Sequence, residues 1–175
     1  MKEIFAYTDG SAVVSGKNKG RGGFGTYFPD LFGKRKAFSL GYKQGKTGQM
    51  EVTALLYALK AMPLDCGDQK IKLIVYSDSE YVVKTFTENR LTRWIKDGRL
   101  KPGGIAANKE LWLEVIEQIR LKQHYLTLEM RHIKSHQVEK EKNENVKYLL
   151  MQCPHIQGNM VADGLADYKR HKNLI

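Results

Sequence analysis

Polar and apolar side chains alternate through EIFAYTD, residues 3–9, in a run rich in β-forming residues, which predicts a half-buried strand. GGFGTYFP (22–29) and KRKAFSLGYK (34–43) read as two more strands, and the Gly and Pro between them suggest hairpins, so the first third is an antiparallel meander. From TGQMEVTALLYALKAMP the period changes to that of a helix: Met50, Ala54, Leu55, Ala58, Leu59 and Met62 make one apolar stripe, and Pro63 ends it. KIKLIVYSD is nearly continuously apolar, and its approach through a helix predicts a central, parallel strand. SEYVVKTFTENRLTRWIKDGR gives one or two short helices. ANKELWLEVIEQIRLK gives a strong one, with Leu111, Trp112, Val115, Ile116 and Ile119 on one face and Asn108 able to cap its start. YLTLEMRHI is a fifth strand and GNMVADGLADYKRHK a last helix, for an order βββαβααβα: an α/β (mixed α+β) fold with helices flanking a five-stranded mixed sheet, three strands antiparallel and then parallel ones.

Composition narrows the setting. A length of 175 residues suits one domain, and no repeat or Pro- or Ser-rich linker asks for a second. The formal net charge of +10 points to a polyanionic partner such as nucleic acid or an acidic membrane surface. Cys66 and Cys153 are too few for a disulfide framework or a four-ligand zinc site and are expected as reduced thiols. With no signal-peptide core, transit-peptide character or membrane-spanning run, the expected setting is soluble and cytoplasmic.

The candidate chemistry is acidic. Asp9 is expected to follow the first strand and Asp78 the central one, Glu51 to lie in the first turn of the first helix, and Asp163 near the start of the last. Two neighbouring strand ends bring Asp9 and Asp78 to the sheet edge where such folds present ligands. Glu51 shares the helix face of Ala54, Leu55 and Ala58 and so heads towards the sheet. Any one such acid ordinarily serves as a turn residue, cap or dipole partner. Four converging carboxylates repel, and a hard divalent cation such as Mg²⁺ or Mn²⁺, which prefers oxygen ligands, neutralises them.

In these motifs and their order the chain resembles the type 1 ribonuclease H family. YTDGS with NKGRGGFG is similar to the family's TDGS and glycine-rich hairpin, QMEVTALLYAL to its R-M-E-x-x-A helix, and VYSDSEYV to T-D-S-x-Y-V; TRWIKDGR, NKELW, HIKSH and GNMVADGLA follow in register. The resemblance implies a ribonuclease H-like fold across residues 1–175, with Asp9, Glu51, Asp78 and Asp163 as catalytic metal ligands and His136 of KSH as the catalytic-loop histidine. It further implies two Mg²⁺ ions, replaceable by Mn²⁺, and an endonuclease that cleaves the RNA strand of RNA/DNA hybrids to 5′-phosphate and 3′-hydroxyl ends. An imidazole shuttles protons near neutral pH, which suits His136 to proton transfer or product release. No Ser, His and Asp array or reactive-Cys setting competes for the nucleophile's role. A junction resolvase of the same fold and a catalytically silent hybrid-binding domain stand as alternatives; the SDSEYV and QMEVTALL matches argue against the first, and the presence of all four acids against the second.

The substrate contacts that the resemblance implies are Asn18 in the glycine-rich loop, Lys46, Thr47, Gly48 and Gln49 ahead of Glu51, Asn159 in the last motif, and a basic protrusion. That protrusion runs from Arg90 to Lys101 and carries Arg90, Arg93, Lys96, Arg99 and Lys101 against one acid, Asp97, with Trp94 placed to pack or to touch the DNA strand. Gly20, Gly22, Gly23 and Gly25 would let backbone amides approach the duplex or supply hairpin φ values. The partner is the hybrid duplex, no obligate protein partner is implied, and a monomer of low processivity is expected.

Three departures from the family stand out. Lys46, Thr47, Gly48 and Gln49 replace T-N-N-R, Glu80 stands where Gln or Asn is frequent, and His136 and Asp163 lie 27 positions apart, beyond the family's usual gap. Residues 137–157 therefore read as an insertion, serving as a lid, a partner-binding element or a duplex-contacting arm. VEKEKNENVK within it suggests a solvated helix, and YLLMQCPHIQ has enough apolar side chains to dock.

Overall fold

A computed structural model describes residues 1–172 and 175 of the chain. β1 (Lys2–Ala12), β2 (Gly22–Leu31) and β3 (Lys34–Tyr42) run antiparallel, each to the next. Helix α1 (Thr47–Ala61) then crosses one face to β4 (Ile71–Ser77), which lies parallel to β1. α2 (Glu80–Thr87), α3 (Arg90–Lys96) and α4 (Lys109–Lys122) lead to β5 (Leu126–His132), parallel to β4. α5 (Gln137–Lys140), α6 (Glu144–Gln152) and α7 (Pro154–His171) follow. The five strands form one mixed sheet, as expected from the sequence, and their order across it is β3-β2-β1-β4-β5.

The two-residue period of β1 divides its side chains between two cores. Ile4 and Ala6 join Leu55, Leu59, Leu73 and Val75 in a core completed by Trp112 and Val115 of α4. Tyr7 and Phe5 join Ile74, Tyr76, Ile156 and Ala162 beneath α7. All six residues of the predicted α1 stripe are buried, and each large apolar side chain fully removed from water contributes about 1.5–3 kcal/mol. Lys122 ties α4 to α1: its ammonium donates to the Leu59 carbonyl oxygen and to Gln118 Oε1, both at 2.6 Å. Burial pushes that lysine's pKa down.

Several expectations need correction. β1 does not end at Asp9 but continues to Ala12, because β2 still pairs with it there. Glu51 is the fifth residue of α1 and so belongs to its second turn. Asn108 stands at the start of α4 in the left-handed region, with φ 57°, and makes no capping bond; its amide donates instead to the Tyr81 hydroxyl at 3.4 Å. α7 starts at Pro154, which fits a first helical turn, so Asp163 lies in the middle of the helix. Gly158, where the sequence suggests a start, is interior to α7, and a Cβ there would strike the Tyr7 ring. Residues 137–157 fold as α5, α6 and the first turn of α7, which adds helices to the predicted order. Leu150, Cys153 and Ile156 dock on the second core, while Tyr148 and Leu149 remain exposed.

Candidate active site

Backbone register delivers two carboxylates to one point. The parallel β1–β4 ladder ends at the pair Thr8 and Ser77, so Asp9 and Asp78 are the next residues on adjacent strands. Glycines bring the other two acids close. At Gly10 a Cβ would overlap the backbone of Met50 and Glu51, so its absence lets α1 lie directly on β1 and sets Glu51 beside Asp9. At Gly25, the β2 partner of Asp9, a Cβ would collide with the Ala162 carbonyl oxygen, and at Gly23 with that of Ala166. These glycines therefore seat α7 on β2 and position Asp163; access for a duplex is not what requires them.

Asp9, Glu51, Asp78, Asp163 and His136 line one open cleft of about 530 Å³. Asp9 is only 7% exposed. Burial, then the charges of Asp78 and Asp163, push its pKa from an ordinary 3.8 up to about 8. Asp78 is raised too, mainly by burial, so the two neighbouring carboxyls together hold on to a proton. Glu51 is raised by burial, a shift opposed by Ser79, whose Oγ donates to Glu51 Oε2 at 2.6 Å. The same Ser79 oxygen accepts from the Val82 amide at 3.3 Å, so one side chain both caps α2 and holds the glutamate. His136 has φ 54°, in the left-handed region uncommon for a residue with a side chain, and its Nδ1 lies 2.6 Å from Glu139 Oε2.

The donor set suits a hard divalent cation: four carboxylates, no thiolate, and burial with mutual repulsion that raises the pKa of Asp9. Among the described residues no three His, Cys, Asp or Glu side chains stand close enough together to grip one ion as placed. The fit rests on donor chemistry and on charge that a cation would neutralise. Asp167 and Arg170 escape motif reasoning. Ser79 falls within the VYSDSEYV match, which by itself gives it no role, whereas Arg170, ion-paired to Asp167, lines the cleft solely through the packing of α7.

Lys46, Thr47 and Gln49 border a second cleft of about 840 Å³ with Lys19 and Gly20 of the β1–β2 loop, and Thr47 belongs to both clefts. Gln49 Oε1 accepts from the Lys46 amide at 3.4 Å, and Gly48 lies against Tyr81 and Asn108. Asn18, half-buried, is in the same loop, which Gly20 closes by donating to the Val13 carbonyl oxygen at 2.8 Å. The basic run falls on α3 and the turn after it. Arg90 pairs with Glu88 at 2.7 Å and Arg99 with Asp97 at 3.8 Å, whereas Arg93, Lys96 and Lys101 make no ion pair among the described residues. Trp94 packs edge-on against Trp112 at 6.0 Å, so of its two expected uses packing is the one observed. Asn159, expected as a substrate contact, is 5% exposed, its Oδ1 has no hydrogen-bond partner among the described residues, and it lines a small pocket with Lys134 and His136–Glu139. Glu80 pairs with Lys84 at 2.5 Å and lines a groove that also has Asp78 in its wall.

Among the described residues no helix is long and apolar enough to cross a membrane. The family model for RNase H matches residues 1–169. A ribonuclease H of Symbiobacterium thermophilum is 38% identical over 125 residues, 69% of this chain and 76% of that protein. Another, of Chlorobium phaeobacteroides, is 34% identical over 158 residues, 87% of this chain and 96% of its own. The fold also resembles LC9-RNase H1, a type 1 RNase H with the type 2 active-site motif, at 17% identity, TM-score 0.67 and coverage of 97% of this chain and 72% of that one. A foamy viral protease-reverse transcriptase in complex with RNA/DNA hybrid aligns at 20% identity and TM-score 0.69 over 96% of this chain, which spans 20% of that larger chain. With a family model matched along nearly its whole length, and relatives alike over two thirds of it or more, the chain belongs to the ribonuclease H family of phosphodiester hydrolases.

Proposed function

We propose that this chain, a single catalytic domain with an insertion at about 137–157, is a cytoplasmic, monomeric endonuclease that hydrolyses the RNA strand of RNA/DNA hybrids, leaving 5′-phosphate and 3′-hydroxyl ends. The observation that carries the reading is the convergence of Asp9, Glu51, Asp78 and Asp163 in one cleft, where burial and then the charges of Asp78 and Asp163 raise the pKa of Asp9. These four would hold two divalent ions, Mg²⁺ or in its place Mn²⁺. When bound, the ions supply activation of water for in-line attack on phosphorus and neutralisation of charge on the departing 3′ oxygen.

The protein's own groups do the rest. Asp9 gives up its proton to become a ligand, and Ser79 fixes the Glu51 carboxylate in one orientation. His136, held through Nδ1 by Glu139, presents its other nitrogen at the lip of the cleft, where a proton can be passed as product leaves. Lys46, Thr47 and Gln49, which border the cleft beside the acids, together with Gly48 and with Asn18 of the β1–β2 loop, meet the minor groove, where a hybrid is read by shape and 2′-hydroxyls. Arg90, Arg93, Lys96, Arg99 and Lys101 on α3 and the following turn meet phosphates.

The deciding assay offers labelled RNA/DNA hybrid, double-stranded RNA and double-stranded DNA with Mg²⁺, Mn²⁺ or EDTA. Metal-dependent loss of the hybrid's RNA strand alone is expected. Survival of that strand in both metals would sink the assignment.

A further inference from the structure

The insertion builds more than a cover for the second core. Between the end of β5, the 134–137 turn, α5 and α6 lies a groove of about 600 Å³ that has Asp78 in its wall, so it opens directly from the cleft of the four acids. His132 marks the junction, its Nε2 3.2 Å from the Asp78 carbonyl oxygen. One part of the lining is apolar, formed by Val146 and Leu150 of α6, and the rim carries Lys134 and Lys140. Neither lysine makes an ion pair among the described residues, whereas the two other acids of the lining are occupied: Glu80 by Lys84 at 2.5 Å, and Glu141 by the Asn143 amide, which donates to its Oε1 at 2.8 Å.

An apolar floor beside uncommitted ammonium groups suits a nucleotide, whose base and ribose cover the floor while the phosphate meets the lysines. The volume admits about one or two nucleotides of one strand, and not a base-paired double helix. We propose that this groove binds single-stranded RNA that runs on from the hybrid past the scissile phosphate, so that the insertion selects hybrids whose RNA strand extends beyond the duplex. The proposal rests on the reading of the cleft as a hybrid nuclease, because that reading sets the cut strand across Asp78.

Binding without cleavage separates the two. Fluorescence anisotropy of the full chain in EDTA would compare hybrids of one duplex length that are flush, extended by about six nucleotides of single-stranded RNA at either end of the RNA strand, or extended by DNA. One RNA-extended hybrid is expected to bind about fivefold more tightly than the flush one. Lys134→Glu/Lys140→Glu, verified as folded by its thermal melt, is expected to abolish that gain and to leave flush-hybrid affinity within about twofold. Equal affinity for flush and extended hybrids, or a variant that weakens both alike, would overturn the groove. Failure of the nuclease reading shows separately, as absence of hybrid cleavage by the wild-type chain in Mg²⁺ and Mn²⁺.

Discussion

Asp9 is where the charge of the cleft concentrates, and its protonation makes the protein's stability depend on pH. A carboxyl whose pKa is raised on folding binds more protons folded than unfolded, so the stability it contributes is complete below the unfolded value of 3.8 and is lost as pH rises through about 8. Glu51 and Asp78 are raised in the same direction. Thermal melts of the metal-free protein are therefore expected to fall from mildly acidic to mildly alkaline pH, and Mg²⁺ should raise the melting temperature more at the alkaline end, where it no longer competes with protons; a flat profile would contradict the shared proton. Asp78→Asn removes one repelling charge and one proposed metal ligand together. It is expected to lower cleavage about a hundredfold or more while raising the melting temperature of the metal-free protein. Cleavage kinetics beside a melt check both parts, and undiminished cleavage would remove Asp78 from the site.

Elements meet closely only where glycine permits, so the geometry of the acids is set by backbone contact between α1, β1, β2 and α7. Gly25→Ala forces a Cβ into the Ala162 carbonyl oxygen. Overpacking of this kind costs about 1–3 kcal/mol, and it should also lower activity by displacing Asp163 from Asp9. Gly164→Ala makes the contrast, since a Cβ there meets nothing within 4 Å and the position is exposed; replacing glycine within a helix is expected to stabilise by about 1 kcal/mol. Urea unfolding of the two variants checks the opposite signs. Most elements were legible because their periods are long and uninterrupted: the α1 stripe and the apolar β4 run each permit one reading. The start of α7 was not, because Gly158 resembles a helix breaker until Tyr7 is seen filling the space beside it.

Across the whole molecule the net charge of +10 is a prediction about salt. Each phosphate neutralised by a lysine or arginine contributes about −0.7 to −0.9 to the slope of log affinity against log salt, so hybrid binding should weaken steeply between low and physiological ionic strength. Removing Arg93, Lys96 and Lys101 together should flatten that slope by about 2 to 3. An anisotropy titration over a salt series measures it, and an unchanged slope would mean that α3 does not meet the duplex. Arg90 and Arg99 are expected to contribute less, because Glu88 and Asp97 already hold them.

The sequence by itself determined the five strands, the long helices, the sheet's mixed character and the four acids, because these follow from periodicity and from short motifs that need no distant partner to be read. Only tertiary structure decided what those residues do to one another. Ser79 reaches a glutamate 28 positions away in the chain, Gly10 and Gly25 matter through the helices laid on them, and the insertion gains its lysine-rimmed groove by folding back beside Asp78. Each of these depends on distances across the fold, and local sequence carries no record of the backbone that will arrive on its other side.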